Sequence, residues 1–164
     1  MTLSELNGLD QAAFVRLVGP VFEHSPWIAQ AAWPRRPFGD LAAMHQELCR
    51  VVADAKEAEK LGLIRAHPDL AARSALTQAS AAEQASAGLN QLTAEELDSF
   101  RQRNATYRDK FGFPFVICAR LNKKDTILAE LARRLQNARE DEIQTALAEI
   151  FKIAELRLRG LIHE

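Results

Sequence analysis

The chain is 164 residues long, with 48% hydrophobic and 26% charged residues, seven glycines and six prolines, the profile of one ordinary globular domain and not of a fibre or a disordered chain. Folding at this size buries roughly 70% of the unfolded surface, so a core forms without disulfides or structural metal. Lys plus Arg is 21 against 22 for Asp plus Glu, a formal net charge of -1, which offers no basic footprint for nucleic acid. No apolar run approaches the ~20 residues of a membrane-spanning helix, and Met1-Thr2-Leu3-Ser4-Glu5 has no signal-peptide pattern, so the expectation is a cytoplasmic protein with neither nucleic-acid nor membrane partners.

Helical periodicity organises the chain. Gln11 to Val18 is a short candidate helix. Leu41, Met44, Leu48, Val51, Val52 and Ala55 share one face, with Gln46, Glu47, Arg50, Asp54 and Glu57 opposite, which predicts a long amphipathic helix capped by Asp40 and stopped near Gly62. The turn-rich middle, from His67 to Leu92, is the least regular part, and its Ala/Ser/Gln-rich stretch from Ser74 to Ala87 comes nearest to a linker. From Thr93 to Phe111, Leu97, Phe100, Asn104, Tyr107 and Phe111 repeat in steps of three and four, and Thr93-Ala-Glu-Glu96 is a capping-box signature. Phe113-Pro-Phe-Val-Ile-Cys-Ala119 is too short an apolar run to decide between a buried strand and a helix start, although Gly112 and Pro114 favour an extended entry. Asp125 to Asn137 is a further short helix, and Asp141 to Leu161 a long one with Ile143, Leu147, Ile150, Ala154, Leu158 and Leu161 on one face. The fold expected is a single all-α domain of about seven to nine helices.

Three polar features stand out from the core. In Ala66-His67-Pro68-Asp69 the proline suits the first position of a helix, which places His67 at or beside an N-cap. Backbone amides and the helix dipole there disfavour a positive imidazole and keep a neutral ring ready as base or hydrogen-bond partner; a capping residue with a solvated ring is the alternative. Ser80-Ala-Ala-Glu83-Gln84 matches a capping box opening a helix that ends near Gly88, and equally could present an acceptor and amide groups to a small ligand. Arg157 sits on the apolar stripe of the last helix. It either snorkels past the core edge or points inward, where a buried carboxylate or an anionic ligand must balance it. His45 and His24 are expected in structural roles. Cys49 and Cys118, far apart and without CxxC spacing, are expected as core thiols. No HExxH or CxxC spacing suggests a metal site, and GxSxG, Walker and GxGxxG signatures are missing.

Four segments occur together and in order: Phe22-Glu-His-Ser-Pro-Trp-Ile28, Leu63-Ile-Arg-Ala-His-Pro-Asp-Leu-Ala71, Glu83-Gln-Ala-Ser-Ala-Gly-Leu89 and Lys110-Phe-Gly-Phe-Pro-Phe-Val-Ile-Cys-Ala-Arg120. The set closely resembles the OHCU decarboxylase family, which decarboxylates 2-oxo-4-hydroxy-4-carboxy-5-ureidoimidazoline (OHCU) to (S)-allantoin in urate breakdown, and the resemblance runs from about Leu9 to Leu161. It implies an all-helical fold, a homodimer, and no cofactor or metal. Carried over by position, it implies that His67 is the essential histidine, with Pro68 a neighbouring ligand contact. Glu83 is the implied acidic residue within the contact segment Ser80, Ala81, Ala82, Glu83 and Gln84. By the same resemblance, Phe115, Val116, Ile117, Cys118 and Ala119 are implied to line the ligand with main-chain groups, and Arg157 to be the family's arginine of the last helix. Two alternatives stay open on the residues alone: a hydrolase of a related ureido-imidazole such as 5-hydroxyisourate, and a non-catalytic helical interaction module.

Overall fold

A computed structural model describes residues 1–72 and 76–163. Among them the chain is all-α, with nine α-helices, three short 3-10 turns and no strand. The helices are α1 (Leu3–Asn7), α2 (Gln11–Val18), α3 (Trp27–Ala32), α4 (Leu41–Ala53), α5 (Glu57–Arg65), α6 (Gln78–Ser86), α7 (Ala94–Phe111), α8 (Lys124–Arg134) and α9 (Arg139–Leu161). No described helix is long and apolar enough to cross a membrane. The chain forms two compact units, Met1–Ala66 with Phe151–Glu164, and His67–Ile150.

In the first unit α3 packs on both α2 and α4, and Phe14, Val18, Ile28, Met44, Leu48 and Val52 are buried. The Asp40 side chain accepts the Ala43 amide at 2.7 Å and caps α4, as its position before the apolar stripe predicts. The helix stops at Ala53, well short of Gly62. Lys56 turns extended, and its amide donates to the Glu59 carboxylate, so a separate helix begins at Glu57 and carries Gly62 in its interior. His45 Nε2 lies 2.8 Å from the Phe151 carbonyl oxygen and 3.4 Å from Cys49 Sγ, the structural role expected of it. Burial, reinforced by Glu155, pushes the Cys49 thiol up to about 12. It therefore stays protonated and inert at neutral pH.

The second unit is organised by α7. Thr93 and Glu96 close a reciprocal capping box at 3.1 Å in both directions, and Gly112, at φ +79°, ends the helix in a left-handed turn that favours glycine. The buried face is Leu97, Phe100, Asn104, Tyr107 and Phe111, the stripe read from the spacing. After Gly112 the chain is neither strand nor helix: residues 113–118 run irregularly and then enter the 3-10 turn Ala119–Leu121. Without a ladder, this buried backbone must be satisfied by side chains.

Arg134, on α8, supplies one such contact. It is 1% exposed, its Nη1 donates to the Val116 carbonyl at 2.7 Å, and its guanidinium lies 4.4 Å from the centre of the Phe115 ring. Its charge is balanced by Glu142, fully buried, whose Oε1 also accepts the Tyr107 hydroxyl at 2.5 Å while Oε2 accepts Asn137 Nδ2 at 3.0 Å. Removing one member of a buried pair strands the other. Arg134→Met therefore lowers stability by about 3 kcal/mol, the low end of the usual range because Tyr107 and Asn137 still solvate Glu142; urea unfolding measures it, and a change below about 0.5 kcal/mol would refute the assignment.

Candidate active site

His67 is buried and lies in a bend immediately after α5 and its C-cap Ala66. The expected N-cap placement is thus overturned, because Pro68 opens no helix: residues 69–72 form a turn, and the next described helix starts at Gln78. The chain leaves the carbonyl end of α5 at His67, so the amide-rich terminus invoked to keep the ring neutral is not there.

What holds the His-Pro-Asp turn is a set of side chains from α6 and α7. Gln84, buried, accepts the Ala71 amide at 3.0 Å, Asn104 Nδ2 donates to the Leu70 carbonyl at 3.0 Å, and Arg108 Nε donates to Asp69 Oδ1 at 2.9 Å. Ala71 takes φ +63°, an uncommon conformation for a residue with a Cβ that persists where surrounding contacts over-determine it. Pro68 is half-buried beside this turn.

The Ser80–Glu83 capping box is also overturned. Thr77 is the N-cap, its hydroxyl accepting the Ser80 amide at 3.2 Å, so Ser80 and Glu83 both lie inside α6. Thr77 occupies the cap because the helix starts one turn earlier than the Ser-x-x-Glu pattern suggests. The far end agrees with expectation: Leu89 N donates to Gln84 O and Gly88 N to Ala85 O, a Schellman motif around Gly88 at φ +84°. Ser80 and Gln84 are buried, Glu83 is half-buried, and Ala81 and Ala82 are exposed. The expected Ala/Ser/Gln-rich stretch begins at Ser74, which with Ala75 lies outside the described residues.

Helix α6 also packs on the 3-10 turn Ala119–Leu121, which brings Glu83 towards residues 115–119. Burial pushes the Cys118 thiol up, and the Glu149 and Glu83 carboxylates push it further, so Cys118 is a neutral thiol and no nucleophile. The main chain of the segment is partly spoken for. Val116 O accepts from Arg134, Cys118 N donates to Glu149 Oε1 at 3.3 Å, and Cys118 O accepts from Asn122 Nδ2 at 2.9 Å. Between these anchors the amide and carbonyl of Ile117 bond to no described residue, leaving a donor and an acceptor side by side. A cleft of about 410 Å³ opens beside α6, lined by Ala71, Ala72, Ala81, Gln84, Leu89 and Leu97 among others, but His67 and Glu83 do not line it.

Arg157 belongs to the first unit and does not snorkel. Its side chain is 9% exposed, Nη2 lies 2.7 Å from Glu23 Oε1, and Nη1 donates to the carbonyls of Pro20 and Val21 at 3.1 and 3.5 Å. Of the two accounts of an arginine on an apolar stripe, inward burial with a balancing carboxylate holds. No group of three or more His, Cys, Asp or Glu residues among those described could hold a metal ion.

The model of the family described as OHCU decarboxylase matches residues 7–159. A 2-oxo-4-hydroxy-4-carboxy-5-ureidoimidazoline decarboxylase of Haloferax volcanii is 44% identical over 96% of this chain and 94% of its own length, and one of Mus musculus is 40% identical over 99% and 93%. A crystal structure of (S)-allantoin synthase superposes with a TM-score of 0.80 at 30% identity, over 99% of this chain and 54% of that one. The family match includes every segment described above, and with relatives this similar over nearly their whole length the chain belongs to the OHCU decarboxylase family.

Proposed function

We propose that the chain is a cofactor-independent carboxy-lyase that converts OHCU to (S)-allantoin and CO2 in urate degradation, acting as a cytoplasmic homodimer and a single catalytic domain. The observation that carries this reading is kinship to named decarboxylases over nearly the full length of chain and relative alike. The arrangement in the second unit is chemically suited to it.

Decarboxylation leaves an electron pair where the carboxylate departs, and many enzymes bring a cofactor to hold it. Here the substrate supplies the sink. The ring carbon that carries the hydroxyl and carboxylate neighbours a C=N carbon carrying the ureido group. As the C–C bond breaks and CO2 leaves, its electron pair moves into that imine and the ring nitrogen takes a proton. The enol then returns to the ketone: its hydroxyl loses a proton while the adjacent carbon gains one on a single face, giving one enantiomer.

The protein therefore has to orient the carboxylate out of the ring plane and move protons. His67, in a turn locked by Gln84, Asn104 and Arg108, is the proposed proton-handling group, and acid–base work of this kind contributes roughly 10²–10⁴-fold. Glu83 orients the imidazole or accepts ureido N–H groups. The Ile117 amide and carbonyl read a ureido or ring-amide edge, and Pro68 and residues 80–84 complete the contacts. Arg157 presents a fork of donors to substrate oxygens.

The test generates the unstable substrate in situ from urate with the two upstream enzymes and follows allantoin by circular dichroism. Protein dialysed against EDTA speeds loss of the intermediate and yields (S)-allantoin. Racemic allantoin at the uncatalysed rate would sink the reading, and activity restored only by added zinc or manganese would refute its cofactor independence.

A further inference from the structure

Of the four segments that carry the resemblance, residues 22–28 contribute nothing to the proposed site, yet they bury an acid. Glu23 is 2% exposed, and a carboxylate is kept from water only where a partner balances it. That partner is Arg157, with Nη2 at 2.7 Å from Glu23 Oε1. The surrounding chain is built to hold the acid inward. Ser25 Oγ donates to the Glu23 carbonyl at 2.8 Å, and His24 takes φ +45°, a left-handed conformation that is unfavourable with a Cβ and is kept where neighbouring contacts impose it. The His24 side chain is 65% exposed, its Nε2 lying 3.8 Å from Glu23 Oε2, while Glu23 itself is turned in.

The turn just before that segment supplies the other half of the grip. The 3-10 turn Gly19–Val21 presents the Pro20 and Val21 carbonyls to Nη1 while Glu23 takes Nη2. A guanidinium is planar with donors in fixed directions, so anchoring both terminal nitrogens sets its position and its plane before any ligand arrives. The ion pair is neutral overall, so Arg157 offers directed donors and not excess charge.

We propose that Glu23 is a positioning residue for the decarboxylation, acting through Arg157 by fixing the plane of its guanidinium. The inference rests on the decarboxylase reading. Its test is a double-mutant cycle on kcat/KM with OHCU generated in situ, using wild type, Glu23→Asp, Glu23→Gln, Arg157→Lys and the two double variants. Glu23→Asp keeps the charge and withdraws the oxygens by one methylene, so it folds with an unchanged melting temperature and loses about tenfold in kcat/KM, a step of one decade in transition-state stabilisation. In the Arg157→Lys background the same change costs less than about twofold, because the fork it served is gone. Glu23→Gln, which keeps the length but strands the Arg157 charge, is less stable; assayed below its melting temperature it gives the same kinetic pattern and decides the matter should the aspartate variant fold poorly. Full activity in either single variant, or losses that multiply undiminished in the Arg157→Lys background, would overturn the proposal while leaving the decarboxylase reading intact. Wild-type protein that fails to turn over OHCU would refute that reading itself, and this inference with it.

Discussion

Replacing His67 with asparagine lowers kcat for OHCU decarboxylation by roughly 10²–10⁴-fold, the contribution of one positioned acid–base group, and leaves the fold in place. The second half of that expectation comes from how the turn is held. Gln84 grips the Ala71 amide, Asn104 the Leu70 carbonyl and Arg108 the Asp69 carboxylate, and none of these contacts uses the imidazole. Deleting the ring removes a buried polar group and its hydrogen bonding, a loss of about 1–2 kcal/mol, which in a domain of this size moves the melting temperature by a few degrees (~2–4 °C per kcal/mol). Parallel kinetics and thermal unfolding on His67→Asn and His67→Ala separate the two effects. A variant with near-normal kcat would show that the imidazole only fills space, and one that unfolds at room temperature would show that the turn depends on it.

The structure also explains why the local reading of His67 as an N-cap fails. His-Pro-Asp looks like a helix start because proline is favoured at the first helical position, but proline is equally at home just past a helix end, where it prevents continuation. Only tertiary contacts decide between the two, and here Gln84 and Asn104 from distant helices capture the main chain of residues 70 and 71 before a new helix can begin. Ser80 and Glu83 mislead in the same way. Ser-x-x-Glu and Thr77-x-x-Ser80 overlap by one turn, and the cap goes to Thr77.

What was legible is periodic. The faces of α7 and α9 and the Thr93–Glu96 capping box depend on spacing alone, and the structure reproduces them. The residues that support the site were partly legible as polar intruders. Asn104 stands on the apolar stripe of α7, and Arg134 follows Ile127 and Leu131 at helical spacing on α8. A polar group on a buried stripe requires a partner, so both could have been singled out by the rule that drew notice to Arg157. Glu23 and Glu149 could not, because each is buried by contacts from segments far away in sequence, and no local pattern marks an acid destined for a distant amide or guanidinium.

Arg157 is the position where loss of function and loss of stability are both large, and its variants separate them. Arg157→Met removes the partner of a carboxylate whose side chain is 1% exposed, and stranding a buried charge in this way costs about 3–5 kcal/mol. The methionine keeps the apolar stem yet does not fold well, which reverses what the apolar stripe alone suggests. Arg157→Lys preserves the charge but gathers its three donors on one nitrogen without the planar fork. It keeps the pair with Glu23 and loses the fixed plane, so it retains most of the stability while kcat/KM falls about 10²-fold, the size of effect a misplaced positioning group produces. Combining Arg157→Met with Glu23→Leu takes away both charges, and replacement of a buried pair by apolar side chains is often neutral in stability. The double variant therefore regains most of the lost stability and none of the activity. Urea unfolding alongside stereochemical assay of the allantoin formed measures both quantities on one set of proteins. Arg157→Met as stable as wild type would show that the pair with Glu23 has no energetic role, and undiminished production of (S)-allantoin by Arg157→Lys would remove the guanidinium from the chemistry, leaving His67 and Glu83 to act with the main chain of residues 115–119.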